Sequence, residues 1–127
     1  MVKAIEAARQ AARKAIESTY DGVLSVTEHK KVKDESTKMT SYQDVVVLDD
    51  QPCRLSFEQL KTAIQSDSAA SVAQTTKLFV SPDIVIKAGS KITVVQAGVT
   101  TDYTSSGIPA VYDTHQEIII DLFKDWA

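Results

Sequence analysis

The sequence predicts a mainly β fold, α+β in class: a small antiparallel β-barrel or sandwich led by one N-terminal α-helix. Two patterns carry the prediction. Up to about position 19 the chain is Ala-rich and free of Gly and Pro, as a helix requires. After position 22, short apolar segments recur at a spacing of roughly 8–12 residues with Gly-bearing turns between them, the signature of an all-β barrel or sandwich.

The helix is expected over residues 2–19. Ile5, Ala8, Ala12 and Ile16 recur at spacings of three and four and form one narrow apolar stripe. So thin a stripe suits a helix on a surface or against a neighbouring subunit. Asp21-Gly22 is the expected stop, with Gly22 free to take positive φ. Two strands then follow, at 22–33 and 37–47, joined by a polar turn around Lys33 to Ser36. Asp49-Asp50-Gln51-Pro52 reads as a turn. In CRLSF at 53–57, Cys53, Leu55 and Phe57 share one face of a short strand.

Residues 58–71, EQLKTAIQSDSAAS, break the β pattern and are expected to form a long internal loop. Loops of this length without structure of their own are uncommon in compact domains and often functional. The candidate loop residues are Gln59, Leu60, Lys61, Ile64, Gln65, Ser66, Asp67 and Ser68. Strand character returns at 72–80, 84–86, 91–96 and 99–103. Ala97-Gly98 is placed as a two-residue hairpin loop. A last strand spans 116–123.

A length of 127 residues fits a single domain, with the helix at 1–20 and the barrel at 22–127. Net charge is −3, so no global drive toward phosphate or anionic membranes exists. The charge is uneven: Lys3, Arg9, Arg13 and Lys14 outweigh Glu6 and Glu17 near the start. Asp113, Glu117, Asp121 and Asp125 outweigh Lys124 near the end. Cys53 is the only cysteine, which rules out an internal disulfide and fits a reducing compartment. The longest apolar runs, Val45 to Leu48 and Ile118 to Ile120, are far too short to span a bilayer. The charged N-terminus lacks the apolar centre of a secretory signal, so the expected place is the cytoplasm.

Chemistry has little to stand on. The histidines are His29 and His115 only. Cys53, His115 and Asp113 could be drawn as a Cys–His–Asp set, but Cys53 alternates with Leu55 and Phe57 as a small buried residue would. The Cys and His residues are too scattered for a zinc signature, and the four glycines form no phosphate-binding loop. No catalytic residue, metal or cofactor is expected. Lys30, Lys31 and Lys33 could touch nucleic acid, but Asp34 and Glu35 partly cancel them. What remains is interaction, and Phe123 and Trp126 near the end are the candidate interface residues.

Three stretches carry a family resemblance: QPCRLSF at 51–57, TTKLFVSPDIVIKAGSKITVVQAGVTTDY at 75–103 and VYDTHQEIIIDLFKDWA at 111–127. Together they resemble the head–tail connector, or head-completion (stopper), proteins of siphophages and phage-like prophage elements. The resemblance covers a little over two-fifths of the chain and leaves the N-terminal helix unmatched. It implies a small β-barrel with a long internal loop. It also implies self-association into a ring below the portal and adaptor proteins, a docking surface for a tail terminator or other tail proteins, and transient contact with packaged DNA. A lone subunit would remain monomeric where each interface is weak. The implied place is the host bacterial cytoplasm during assembly, then the head–tail interface of the virion. Residues 58–71 match the family's channel-facing loop. Three other readings compete: a tail terminator, a small-barrel nucleic-acid-binding module, and a small hydrolase built on Cys53.

Overall fold

The structure, a computed structural model, describes residues 2–61, 72–105 and 107–126. Helix α1 spans Val2–Glu17. Seven strands follow: β1 (Gly22–Lys33), β2 (Thr40–Lys61), β3 (Val72–Val80), β4 (Lys91–Gln96), β5 (Val99–Thr104), β6 (Ala110–Val111) and β7 (Gln116–Leu122). They form one sheet in the order β3-β2-β1-β4-β5-β7-β6, and a further β3–β7 pairing closes it into a ring. Every described pairing is antiparallel. The expected mainly β fold with a leading helix is therefore present, and ring closure makes it a barrel.

The interior follows from the two-residue period of the strands. Leu24 and Val26, Cys53 and Leu55, Leu78 and Val80, Ile92 and Val94, Tyr103, and Ile118 and Ile120 all point inward and are buried. Ile86, from the irregular segment after β3, completes the core. Residues 84–86 were expected as a strand. They form none, and the buried Gln116 amide holds this segment instead, donating to the carbonyls of Ser81 and Ile84.

β2 departs most from expectation. Residues 49–52 do not turn the chain; they lie inside one 22-residue strand. The irregularity is absorbed as a β-bulge, with shifted register opposite Leu24 to Thr27 and Asp50 at φ 53°. Residues 58–61, read as loop, continue β2 and pair with Thr75 to Val72 of β3. The mostly polar run Glu58-Gln59-Leu60-Lys61 suits a ribbon away from the barrel core, which local composition does not distinguish from a loop.

β1 pairs with β4 only as far as Thr27, yet continues beside β2 to Lys33. Residues 28–33 and 40–45 thus leave the barrel as a two-stranded ribbon, arm 1. β3 likewise pairs with β7 only from Thr76 onward, so 58–61 and 72–75 leave as arm 2. Both arms are built on β2 and depart from opposite ends of its barrel section. The arm 1 turn is fixed by Asp34, whose carboxylate accepts from the Ser36 amide at 2.9 Å and the Ser36 hydroxyl at 2.7 Å, and by Lys38 at φ 56°. The second strand starts at Thr40, three residues later than expected, because Thr37 to Met39 belong to this turn. The Ala97-Gly98 hairpin is as expected, with φ of 53° and 76°, both positive as a type I′ turn demands.

α1 ends without glycine. The Ser18 and Thr19 hydroxyls donate to the Ala15 and Ile16 carbonyls, both at 2.6 Å, satisfying acceptors left open at a helix end. Gly22 is not in the left-handed region; it opens β1, and its value is steric. A Cβ there would lie 3.0 Å from Gln96 Oε1 and 3.1 Å from the Cys53 carbonyl. The freed space admits the Gln96 amide, whose Oε1 accepts from the Leu55 amide at 2.8 Å. Gln96 therefore takes over the Leu55 backbone where β1 has not yet begun.

α1 touches the barrel chiefly through arginines. Arg13 donates to Glu17 at 3.1 Å, Asp83 at 2.7 Å and the Ser81 hydroxyl, and Arg9 pairs with Asp113 at 3.3 Å. The apolar stripe faces solvent over its first turns, with Ile5 53% exposed.

Candidate interaction surface

The hairpin register sets His29 opposite Asp44 and Lys31 opposite Tyr42, so all four share one face of arm 1. The C-terminal segment folds onto that face. After β7 the Phe123 amide donates to the Asp102 carbonyl at 3.0 Å, extending the β5–β7 ladder by one step. The chain then crosses toward arm 1.

A row of rings results. Tyr42 stacks on His29 at 4.9 Å and 7°, and His29 stacks on Trp126 at 5.0 Å and 15°. Trp126 meets Phe123 edge-on at 4.9 Å and 73°. A cation closes each end: Lys31 Nζ lies 5.6 Å from the Tyr42 centroid and Lys91 Nζ 5.3 Å from that of Phe123. Such contacts are each worth about 0.5–1.5 kcal/mol. Asp44 fixes the His29 ring through Nδ1 at 2.9 Å. A groove of about 310 Å³ runs beside the row, lined by Glu28, His29, Tyr42, Trp126 and residues 87–90.

Phe123 and Trp126, the expected interface residues, are thus brought together. His29 and Tyr42 complete the row and were missed. Their signal lies in the hairpin register, which sets 29 and 42 one pair apart on one face, and that register depends on where the turn falls.

A second, broader groove of about 690 Å³ lies between the base of arm 2 and the C-terminal segment. Phe57, Thr76, Leu122 and Lys124 line it. Phe57 faces this mouth and is 52% exposed, unlike Cys53 and Leu55 on the same strand face. Of the candidate loop residues, Gln59, Leu60 and Lys61 belong to β2 and pair with Gln74, Ala73 and Val72. Ile64, Gln65, Ser66, Asp67 and Ser68 lie outside the described residues.

The Cys–His–Asp set does not assemble. Cys53 is fully buried in the core and burial pushes its thiol up to about 12, the reverse of an activated nucleophile. His115 stacks on Tyr112 at 4.9 Å and meets Glu117 at 3.2 Å, while Asp113 pairs with Arg9. Among the described residues, no three His, Cys, Asp or Glu side chains group to hold a metal ion, and no helix is long and apolar enough to cross a membrane. Lys30, Lys31 and Lys33 lie on arm 1 among Glu28, Asp34, Glu35 and Asp44, so the arm has no net basic stripe.

Fold and surface together define a small closed barrel with two ribbon arms and an aromatic clasp. No family model matches the chain, and no curated protein matches it. Among solved structures it is similar to the phage-like element PBSX protein xkdH from Bacillus subtilis, at 14% identity and a TM-score of 0.44, over 80% of this chain and 90% of that one.

Proposed function

We propose that this chain is a structural head–tail connector (stopper, or head-completion) protein of a siphophage or phage-like element. In this reading it forms a ring under the portal–adaptor complex, helps retain packaged DNA and offers the tail its docking surface. The resemblance in three sequence stretches motivates the reading. The observation that carries it is where those stretches fall. QPCRLSF is the barrel section of β2, residues 75–103 run from β3 to β5, and residues 111–127 hold β7 and the aromatic segment. The resemblance thus traces one continuous barrel wall together with the parts that leave it.

The physical design supports the same role. The barrel interior is filled by side chains, so the wall acts as a scaffold. Distinctive chemistry sits outside it, on the arms, the clasp and the helix stripe. A subunit of this kind acts through repeated shape-matching contacts and makes no bonds of its own. The test is electron microscopy of particles assembled without this protein. Filled heads that leak DNA and lack tails are the expected result; intact tailed virions would refute the role.

A further inference from the structure

One titratable ring sits at the centre of the clasp. His29 stacks on both Tyr42 and Trp126, and its Nδ1 meets Asp44 Oδ1 at 2.9 Å. Nδ1 can donate to that carboxylate in the neutral ring as well as in the charged one. A proton gained on acidification therefore goes to Nε2, which makes no hydrogen bond among the described residues. The side chain is 30% exposed, so water can deliver that proton. Imidazole is the side chain whose charge ordinarily changes between about pH 5 and 8.

The neighbours of the ring decide which charge state the clasp prefers. Two π faces and a carboxylate attract an imidazolium, and nearby lysines oppose it. On β1, Lys30 Nζ lies 3.6 Å from Glu28, and Lys87, from the segment at 87–90, lies 3.9 Å from the same carboxylate. Lys31 lies over Tyr42 at 5.6 Å. Lys91 is held at the other end of the row by Phe123 and, at 3.8 Å, by Asp102. Lys124 and Asp125 precede Trp126 with opposite charges, and both are exposed. Of these charges Asp44 is the one bonded to the imidazole. The lysines each have another partner, and their repulsion is weakened by distance and screening, so attraction wins.

We infer that the clasp is a pH-sensitive strap: the segment from Phe123 to Trp126 grips arm 1 more tightly when His29 is protonated and more loosely when it is neutral. Beyond Thr27, β1 has β2 as its only sheet neighbour among the described residues. The strap therefore braces arm 1 against the β5–β7 side of the barrel; acid stiffens the brace and mildly alkaline pH relaxes it. His115 forms no second strap. It bonds Thr114 and Glu117 and stacks on Tyr112, all within three residues of it, and Phe79, against which it tilts, is fixed in β3. Its protonation draws no distant segment onto the barrel. The strap does not depend on the head–tail role.

The test is urea unfolding of the whole chain, followed by circular dichroism at pH 5.5 and at pH 8. The four proteins are wild type, Trp126→Ala, His29→Gln and the double variant. This range lies above ordinary carboxylate titration and below that of lysine and tyrosine. Trp126→Ala is expected to raise the unfolding constant at both pH values. The rise should be about two- to fivefold larger at pH 5.5, the worth of one cation–π contact at an exposed site. In the His29→Gln background the rise should be equal at the two pH values, because Gln cannot take the proton. His115→Gln should leave the wild-type pattern in place. An effect of Trp126→Ala that is equal at both pH values, or larger at pH 8, would overturn the inference. So would a pH dependence that survives His29→Gln or disappears in His115→Gln. Acrylamide quenching of Trp126 in wild type needs no variant, and a fall in accessibility from pH 5.5 to pH 8 would reverse the sign and sink the strap. Each of these results leaves the head–tail role standing; that role is judged separately on particles.

Discussion

His29 lies face to face with Trp126, ring centroids 5.0 Å apart and planes 15° apart. This contact joins residues almost a hundred positions apart and is the main tie between arm 1 and the C-terminal segment. Trp126 is also the only tryptophan, so its emission reports on the clasp directly. His29→Ala should shift that emission to the red and make it more accessible to quenchers. Trp126→Ala should cost about 1–2 kcal/mol in denaturant unfolding, the value of one large aromatic contact plus its buried area. Unchanged emission in His29→Ala would mean the rings do not stack in solution.

Gly22 and Gln96 make a paired prediction. Gly22→Ala puts a methyl group 3.0 Å from Gln96 Oε1 and 3.1 Å from the Cys53 carbonyl, so the Gln96 amide and the Cys53 backbone must each give by a few tenths of an ångström, at the expense of the bond to the Leu55 amide. Destabilisation of about 1–3 kcal/mol is expected. Gln96→Ala should cost about 1–2 kcal/mol by itself. The double variant should cost less than the sum, since the clash and the hydrogen bond share one side chain. Urea unfolding of the four chains measures this coupling, and strict additivity would contradict it.

Cys53 gives a prediction in pH. Burial raises its thiol from an ordinary 9.0 to about 12. Between those values the unfolded chain has lost a proton that the folded chain keeps. Stability therefore falls as pH rises through this window, by at most about 1.4 kcal/mol per unit, and is unaffected below it. Cys53→Ala lacks this dependence, although it pays a constant packing cost. The stability gap between wild type and Cys53→Ala should narrow by about 2 kcal/mol from pH 8 to pH 10.5. Tyr20, which burial first and the Glu17 charge second also raise, is present in both chains and cancels apart from the smaller part of its shift that comes from Cys53. Thiol reagents at pH 8 should label the chain only once it is unfolded.

Arg13 should decide where α1 rests. Hydrogen bonds to Asp83 first and Glu17 second raise its pKa further, so it stays charged throughout the working range. Because the guanidinium is partly exposed, Arg13→Ala should lower barrel stability by only about 0.5–1 kcal/mol. Its larger effect should be local: hydrogen exchange in α1 should accelerate while β4 and β7 keep their protection. Equal acceleration in barrel strands would show that the helix is integral to the core.

Tyr20 places its hydroxyl in a buried position without a hydrogen-bond partner among the described residues. Removing an unsatisfied polar atom while keeping the ring should be neutral or stabilising, by up to about 1 kcal/mol for Tyr20→Phe. A marked loss of stability, read by thermal unfolding, would show that the hydroxyl is in fact paired.

Much of this architecture was legible in the sequence because it rests on period and turn chemistry. Leu24 and Val26, Ile92 and Val94, and Ile118 and Ile120 alternate as barrel walls must, and Ala97-Gly98 announces its hairpin. The larger misreadings share one cause: they fall where a distant partner decides the local state. Asp49 to Pro52 look like a turn, yet β1 on one side carries the strand through them as a bulge. Glu58 to Lys61 look like loop, yet β3 pairs with them. Ile84 to Ile86 look like strand, yet Gln116 holds their backbone in an irregular path. Phe123 and Trp126 stood out by their size, whereas His29 and Tyr42 gain meaning only from the register that sets them in one row.

β2 is a single unbroken run of backbone from arm 1 through the barrel wall to arm 2. Tension applied to the described part of one arm therefore reaches that of the other along covalent bonds and ladder hydrogen bonds loaded in shear, without crossing a side-chain contact. The Asp49–Asp50 bulge is where the ladder along that line is irregular. A load on one arm is thereby shared with the other.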